Sequence, residues 1–102
     1  MQPLIYGYMR VLHDADDQQV MRMERALRAC ATDRGYDFGT IFYEHVPGSH
    51  AAFDELTAEL QRADAHYVVV PSFDHLAMSV ILRNCMLARL EQDANAEVFE
   101  LQ

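Results

Sequence analysis

Glycine and proline are scarce, four and three among 102 residues, and no tract is dominated by a few residue types. That excludes a collagen-like repeat and a low-complexity disordered segment, both of which need a very different mix. Long apolar runs are missing too. Nothing approaches the roughly 18 to 20 apolar residues that cross a bilayer. The start Met1-Gln2-Pro3-Leu4 has no basic region ahead of its apolar run, which argues against a secretory signal. A cytoplasmic location is expected, with no membrane partner. Only two cysteines occur, Cys30 and Cys85, without metal or redox spacing, and they are expected as reduced, buried thiols. Positive charge is also in short supply: 8 basic residues face 16 acidic ones, for a formal net charge of −8. An autonomous DNA binder carries a basic footprint, because phosphate neutralisation supplies most of its non-specific affinity. Strong nucleic-acid binding by this chain alone is therefore not expected, although a local basic patch remains compatible with the total.

What the chain does have is a globular balance, 51% hydrophobic and 24% charged. Its length gives room for one domain, residues 1–102, and one core. Leu4 to Val11 is short, apolar and rich in aromatic and β-branched residues, which predicts a largely buried first strand. The polar stretch from His13 to Asp17 follows, and its acids suit the positive first turn of a helix. Val20, Met23, Leu27, Cys30 and Ala31 then recur at helical spacing, and Gly35 is a stop signal. Tyr36 to Tyr43, with Phe38, Ile41 and Phe42, predicts a second strand. Glu44 to His50 predicts a loop turning at Pro47-Gly48-Ser49. Ser49 or His50 then precedes a short helix whose apolar face is Phe53, Leu56 and Leu60. His66 to Val70 is the clearest buried strand, since a strand covered on both faces reads as a continuous apolar run, and Pro71 ends it. A long helix is predicted from about Leu76 to Glu91, and a last strand within Ala96 to Leu101.

The order βαβαβαβ predicts an α/β fold: a three-layer sandwich with a mostly parallel four-stranded sheet and right-handed crossovers. In such sheets the functional crevice lies at the carboxyl ends of the strands. Those ends are Arg10 to Asp14, Glu44 to His50 and Pro71 to His75.

Four stretches in order carry a resemblance. Tyr6-Gly7-Tyr8-Met9-Arg10-Val11 resembles the first strand of the serine recombinases, the resolvase and invertase superfamily, which typically reads Gly-Tyr-x-Arg-Val-Ser. Arg34-Gly35-Tyr36 through Ile41-Phe42-Tyr43-Glu44 resembles the segment entering their second strand and the acid after it. Gly48-Ser49 before Phe53-Asp54-Glu55-Leu56 resembles their mobile loop and following helix. Val68-Val69-Val70 with Phe73-Asp74-His75-Leu76-Ala77-Met78-Ser79 resembles their Leu-Asp-Arg-Leu-x-Arg-Ser signature. The resemblance spans nearly the whole chain and implies the resolvase catalytic-domain fold.

It also implies what the site should hold. The family's serine attacks a DNA phosphodiester, and several arginines stabilise the phosphate and the leaving oxygen. The serine's position, after Val11, is Leu12. Arg10 matches the first-strand arginine, Asp74 the signature acid, and Glu44 replaces an aspartate. The two signature arginines become His75 and Met78, and the mobile-loop arginine is replaced by His50 or a neighbouring alanine. Histidine and methionine cannot give a bidentate, permanently charged grip on phosphate. No catalytic residue is therefore expected: the domain is read as a pseudoenzyme for DNA recombination. The family's long dimerisation helix and its DNA-binding module are expected to be absent, since the sequence ends at Gln102 just after its last predicted strand.

The remaining polar residues have plain roles available. Arg10 is expected to pair with Glu44 or Asp74. His13, Asp14, Glu44, His45, His50, Asp74 and His75 fall in loops at one sheet edge, but no compact histidine pair appears, and neither a metal nor another cofactor is expected. Ser49, Ser72 and Ser79 read as turn or helix-cap residues, and His66 as a surface residue. The last helix is unusual, because Leu76, Ala77, Val80, Ile81, Leu82, Cys85, Met86, Leu87 and Leu90 spread wider than one core-facing stripe. Either it is deeply buried, or one face meets a second subunit, in which case Leu82 or Met86 should lie in the contact. The sequence thus favours a non-catalytic domain that acts through protein contacts, as a regulator or a homodimer in a bacterial cytoplasm. Two alternatives stay open: an accessory DNA-linked subunit, favoured by a basic stripe on the folded surface, or a ligand binder or enzyme using the strand-end crevice.

Overall fold

A computed structural model describes residues 2–12 and 14–101. The strands are β1 (Leu4–Arg10), β2 (Asp37–Glu44), β3 (Tyr67–Val70) and β4 (Glu97–Glu100), and the helices α1 (Asp17–Asp33), α2 (Ala51–Ala63) and α3 (Val80–Ala94). A short 3-10 turn, Phe73–His75, lies between β3 and α3. The four strands form one all-parallel sheet in the order β2-β1-β3-β4.

The continuous apolar character of β1 and β3 follows from their central places, since alternate side chains enter two different cores. Tyr6, Tyr8, Val68 and Val70 pack with Phe53, Leu56 and Leu60 of α2 and with Met86 and Leu90 of α3. On the other face Ile5, Met9, Ile41 and Val69 pack with Leu27 and Ala31 of α1. One helix leaves part of that face uncovered. Tyr36, Tyr67 and Phe99 fill it as an aromatic group, with Tyr36 and Tyr67 4.9 Å and Tyr67 and Phe99 6.0 Å apart between ring centres. The sheet is thus flanked by helices on both faces, in the three layers read from the sequence.

Local signals set most boundaries. Asp16 caps α1 by accepting from the Gln18 N–H at 3.0 Å, and Asp17 adds an acid to its first turn. Gly35, at φ +81°, turns the chain out of the helix in a conformation that other residues rarely adopt. Gly39 is required by space instead: a Cβ there would meet the Tyr6 ring at 2.5 Å.

The last helix departs from expectation. It starts at Val80, not near Leu76, because Ser79 caps it by accepting from the Leu82 N–H at 3.3 Å. Leu76 and Ala77 are buried as part of a loop, so their apolar character reports packing rather than helix. Met86 faces the core at 5% exposure and is not a contact residue, whereas Leu82 is 42% exposed. Cys85 is exposed and Cys30 half-buried, so the two thiols are not both core residues.

Candidate functional site

The crevice lies at the carboxyl ends of the strands. It is a shallow cavity of about 230 Å³ whose lining includes Arg10, Leu12, His50, Asp74, Met78 and Leu82. The end of β1 and the segments that follow β2 and β3 all contribute to it, and the start of α3 closes its rim. Of the residues singled out from sequence, Arg10, Leu12, His50, Asp74 and Met78 line it; His13 lies outside the described residues.

Arg10 ends β1 and is register partner to Glu44, yet it makes no ion pair with Glu44 or Asp74. Its Nε donates to the His75 carbonyl at 3.2 Å, Nη1 to the Ser49 carbonyl at 3.2 Å, and Nη2 to the Leu76 carbonyl at 3.1 Å. Nη2 also reaches the Tyr8 hydroxyl at 3.5 Å. The planar fork thus ties β1 to the two loops that wall the crevice. The expected ion pair gives way because three fixed carbonyls converge on the guanidinium, while each acid has a nearer donor of its own.

Glu44 is 2% exposed, and its carboxylate accepts from the Tyr8 hydroxyl and from the Phe53 N–H, both at 3.0 Å. The Phe53 N–H is an unpaired donor in the first turn of α2, so Glu44 caps that helix from β2. It does what the flanking His50 does not, since His50 makes no side-chain cap bond. Burial, and then the Glu44 charge, push the Tyr8 hydroxyl pKa well up, keeping it a neutral donor. Tyr8 was not singled out from sequence. Its signal was its place two residues before Arg10, on the same strand face.

Asp74 pairs with Arg83 of α3 at 2.6 Å, and the Phe73 N–H donates to the Glu100 carboxylate at 3.0 Å. His75 accepts from the Arg10 backbone N–H through Nδ1 at 3.0 Å, which requires that nitrogen to be unprotonated. Burial first, and then the adjacent Arg10 charge, hold the His75 pKa below its ordinary value, against a smaller opposing pull from Asp74. The Nε2 of His50 is buried without a partner among the described residues. His45 bonds the Val11 carbonyl through Nδ1 at 3.1 Å, and half-buried His66 bonds the Ala94 carbonyl at 3.0 Å. Among the described residues, no three histidine, cysteine or acidic side chains stand together as a metal site. Of the three serines, Ser79 caps α3 and Ser49 accepts from the Ala51 N–H at 3.2 Å, whereas Ser72 makes no cap bond.

The fold, with its crevice at the parallel strand ends, defines a serine recombinase type of α/β domain. Residues 5–102 match the family described as Resolvase, N terminal domain, and the chain belongs to that family. Among solved structures it is similar to the C-terminal catalytic domain of ISC1926 TnpA, an IS607-like serine recombinase. The TM-score is 0.80 at 14% identity, over 97% of this chain and 70% of that one, a likeness of fold. A comparison with curated proteins finds no match. No helix among the described residues is long and apolar enough to cross a membrane.

Proposed function

We propose that this chain is a serine-recombinase-like domain that neither cleaves nor joins DNA and works through protein contacts. One observation carries the reading: Leu12, a hydrocarbon, lines the crevice at the position where the family resemblance expects the attacking hydroxyl. The surroundings support it. His75 and Met78 stand in place of the clamp arginines, and the guanidinium of Arg10 is committed to three backbone carbonyls. A phosphate entering here would meet a rim of leucine and methionine instead of charge-assisted donors.

Incubation with supercoiled plasmid, followed by denaturing gels without protease treatment, tests the reading. No covalent protein–DNA adduct is expected from the wild type or from Leu12→Ser, because restoring a hydroxyl does not restore the clamp. An adduct from the unaltered chain overturns it.

A second reading, an accessory role on DNA, is favoured by a separate feature. Arg22, Arg25 and Arg28 are exposed at successive three-residue steps along α1, a local basic stripe on an acidic chain. Fluorescence anisotropy on duplex DNA near physiological salt separates the two. The first reading expects binding weaker than about 10⁻⁶ M. Tighter, salt-sensitive binding that is lost in Arg22→Glu/Arg25→Glu favours the second.

A further inference from the structure

Eight basic residues, all of them arginine, supply the positive charge of the chain. Half are committed to its own groups: Arg10 to carbonyls, Arg62 to Glu59, Arg83 to Asp74 and Arg89 to Asp54. Arg28 and Arg34 lie over the rings of Phe38 and Phe99. Arg22 and Arg25 are exposed on α1 and, among the described residues, make no ion pair. In a chain with 16 acids, no residue three or four positions from either of them is acidic. The helix gains nothing from this arrangement. Like charges three residues apart repel, and the last turn of α1, where its dipole favours a base, has none. Beside the two arginines Met21 is 49% exposed, and with Gln18 it completes a shallow depression of about 320 Å³.

We infer that this part of α1 docks a short acidic segment of another protein, with carboxylates on Arg22 and Arg25 and an apolar side chain on Met21. The inference rests on the protein-contact reading and gives the partner its chemistry. Charge complementarity selects an acid. Two uncommitted guanidinium forks match carboxylates in bidentate geometry, and the methionine between them adapts to an apolar side chain. Extent selects a peptide over a nucleic acid. The basic track from Arg22 to Arg28 is only about 9 Å long at the rise of an α-helix. Exposed Asp16 and Asp17 stand before it and exposed Asp33 after it. A duplex carries one charge per roughly 1.7 Å of its axis and would run on over those acids. At physiological salt, charges are screened beyond roughly 8 Å, so a short segment senses the arginines more than the rest of a chain carrying −8. Met21 also offers a phosphate no donor.

Fluorescence anisotropy on the full chain tests this with a labelled synthetic peptide of Glu-Leu-Ala-Glu repeats and a labelled DNA duplex of the same total charge. The peptide should bind, and Arg22→Glu/Arg25→Glu should weaken it about tenfold or more, because attraction at both positions becomes repulsion. Met21→Ser should weaken it about threefold, and should have no effect on a peptide whose leucines are replaced by serine. Ile81→Ser, at the apolar start of α3, should change nothing. All these side chains are exposed, so each variant should keep the wild-type far-ultraviolet spectrum. No binding up to about 1 mM peptide overturns the inference. So does peptide binding that ignores Arg22→Glu/Arg25→Glu. A duplex that binds more tightly than the peptide, and loses affinity in that variant, also overturns it and assigns the arginines to nucleic acid. A covalent DNA adduct in the plasmid assay strikes the protein-contact reading instead, whatever the peptide does.

Discussion

The helices α1 and α3 cover opposite faces of one sheet and present opposite surfaces outward. α1 buries Leu27 and Ala31 and turns Gln18, Arg22, Arg25 and Arg28 to solvent. α3 buries Met86, Leu90 and Ala94 but turns Ile81, Leu82, Cys85 and Ala88 outward, where a water-facing helix would carry charge. Their beginnings differ as well. α1 is started by its own neighbour, Asp16, through one local bond. α3 has the Ser79 cap, but the segment leading to it is held by distant groups: Arg10 of β1, Glu100 of β4, and the Asp74–Arg83 pair. A locally started helix is fixed by its own sequence, and its outward arginines are left for a partner. A helix held in place by the sheet edge depends on distant strands for its position, and its back is apolar.

Several measurements sharpen or break that comparison. The largest effects belong to the inward faces, which should be equivalent. Leu27→Ala and Leu90→Ala are each expected to cost about 2–5 kcal/mol in urea or guanidinium unfolding, through lost burial and a residual cavity. A cost below about 1 kcal/mol at Leu90 would mean that α3 is not anchored in the core, and the contrast with α1 would fail.

Next comes the tether at the start of α3. Arg10→Lys replaces a fork reaching the Ser49, His75 and Leu76 carbonyls by a single ammonium, and is expected to cost about 1–3 kcal/mol. A neutral result would show that Arg10 is free for a ligand and that α3 needs no such tether.

His75 gives the same tether a pH dependence. Its folded pKa lies below 6.5, first because it is buried and then because Arg10 adjoins it. The unfolded chain therefore takes up its proton first as pH falls. Stability from this group is fully present above the unfolded value and is lost as pH drops through the window down to the folded pKa. The unfolding temperature should decline as pH falls from about 7.5 through the ordinary histidine range. His75→Asn, whose Oδ1 can still accept from the Arg10 N–H, should flatten that decline. An unchanged slope would remove His75 as its source.

The smallest effects belong to the outward faces. Arg25→Ala on α1 and Ile81→Ser on α3 should each leave unfolding within about 0.5 kcal/mol. They should part on the acidic peptide. Arg25→Ala should weaken its binding about twofold to fivefold in anisotropy, and Ile81→Ser should not. Identical behaviour of the two variants would erase the distinction between the helices.

The sequence by itself determined the order of elements, the parallel sheet and its two-sided burial. Those follow from short-range signals: the apolar runs at Ile5–Met9 and Val68–Val70, the helical spacing through Leu27, and punctuation at Gly35 and Pro71. It also placed Arg10, Leu12, His50 and Asp74 at one strand-end crevice, because a parallel sheet sends every carboxyl end to the same edge, whereas Met78 is marked only by the family resemblance and reads as part of the last helix. Only the tertiary structure decided what those residues do there. Periodicity does not reveal that Arg10 meets carbonyls instead of carboxylates, that Tyr8 bonds Glu44, or that Glu44 caps a helix from the neighbouring strand. Each depends on distances across elements that are far apart in the chain. The same holds for the last helix. Apolar residues around its whole circumference are legible in sequence, but which side meets the core is set by where the sheet lies. That placement buried Met86 and exposed Cys85 and Ile81.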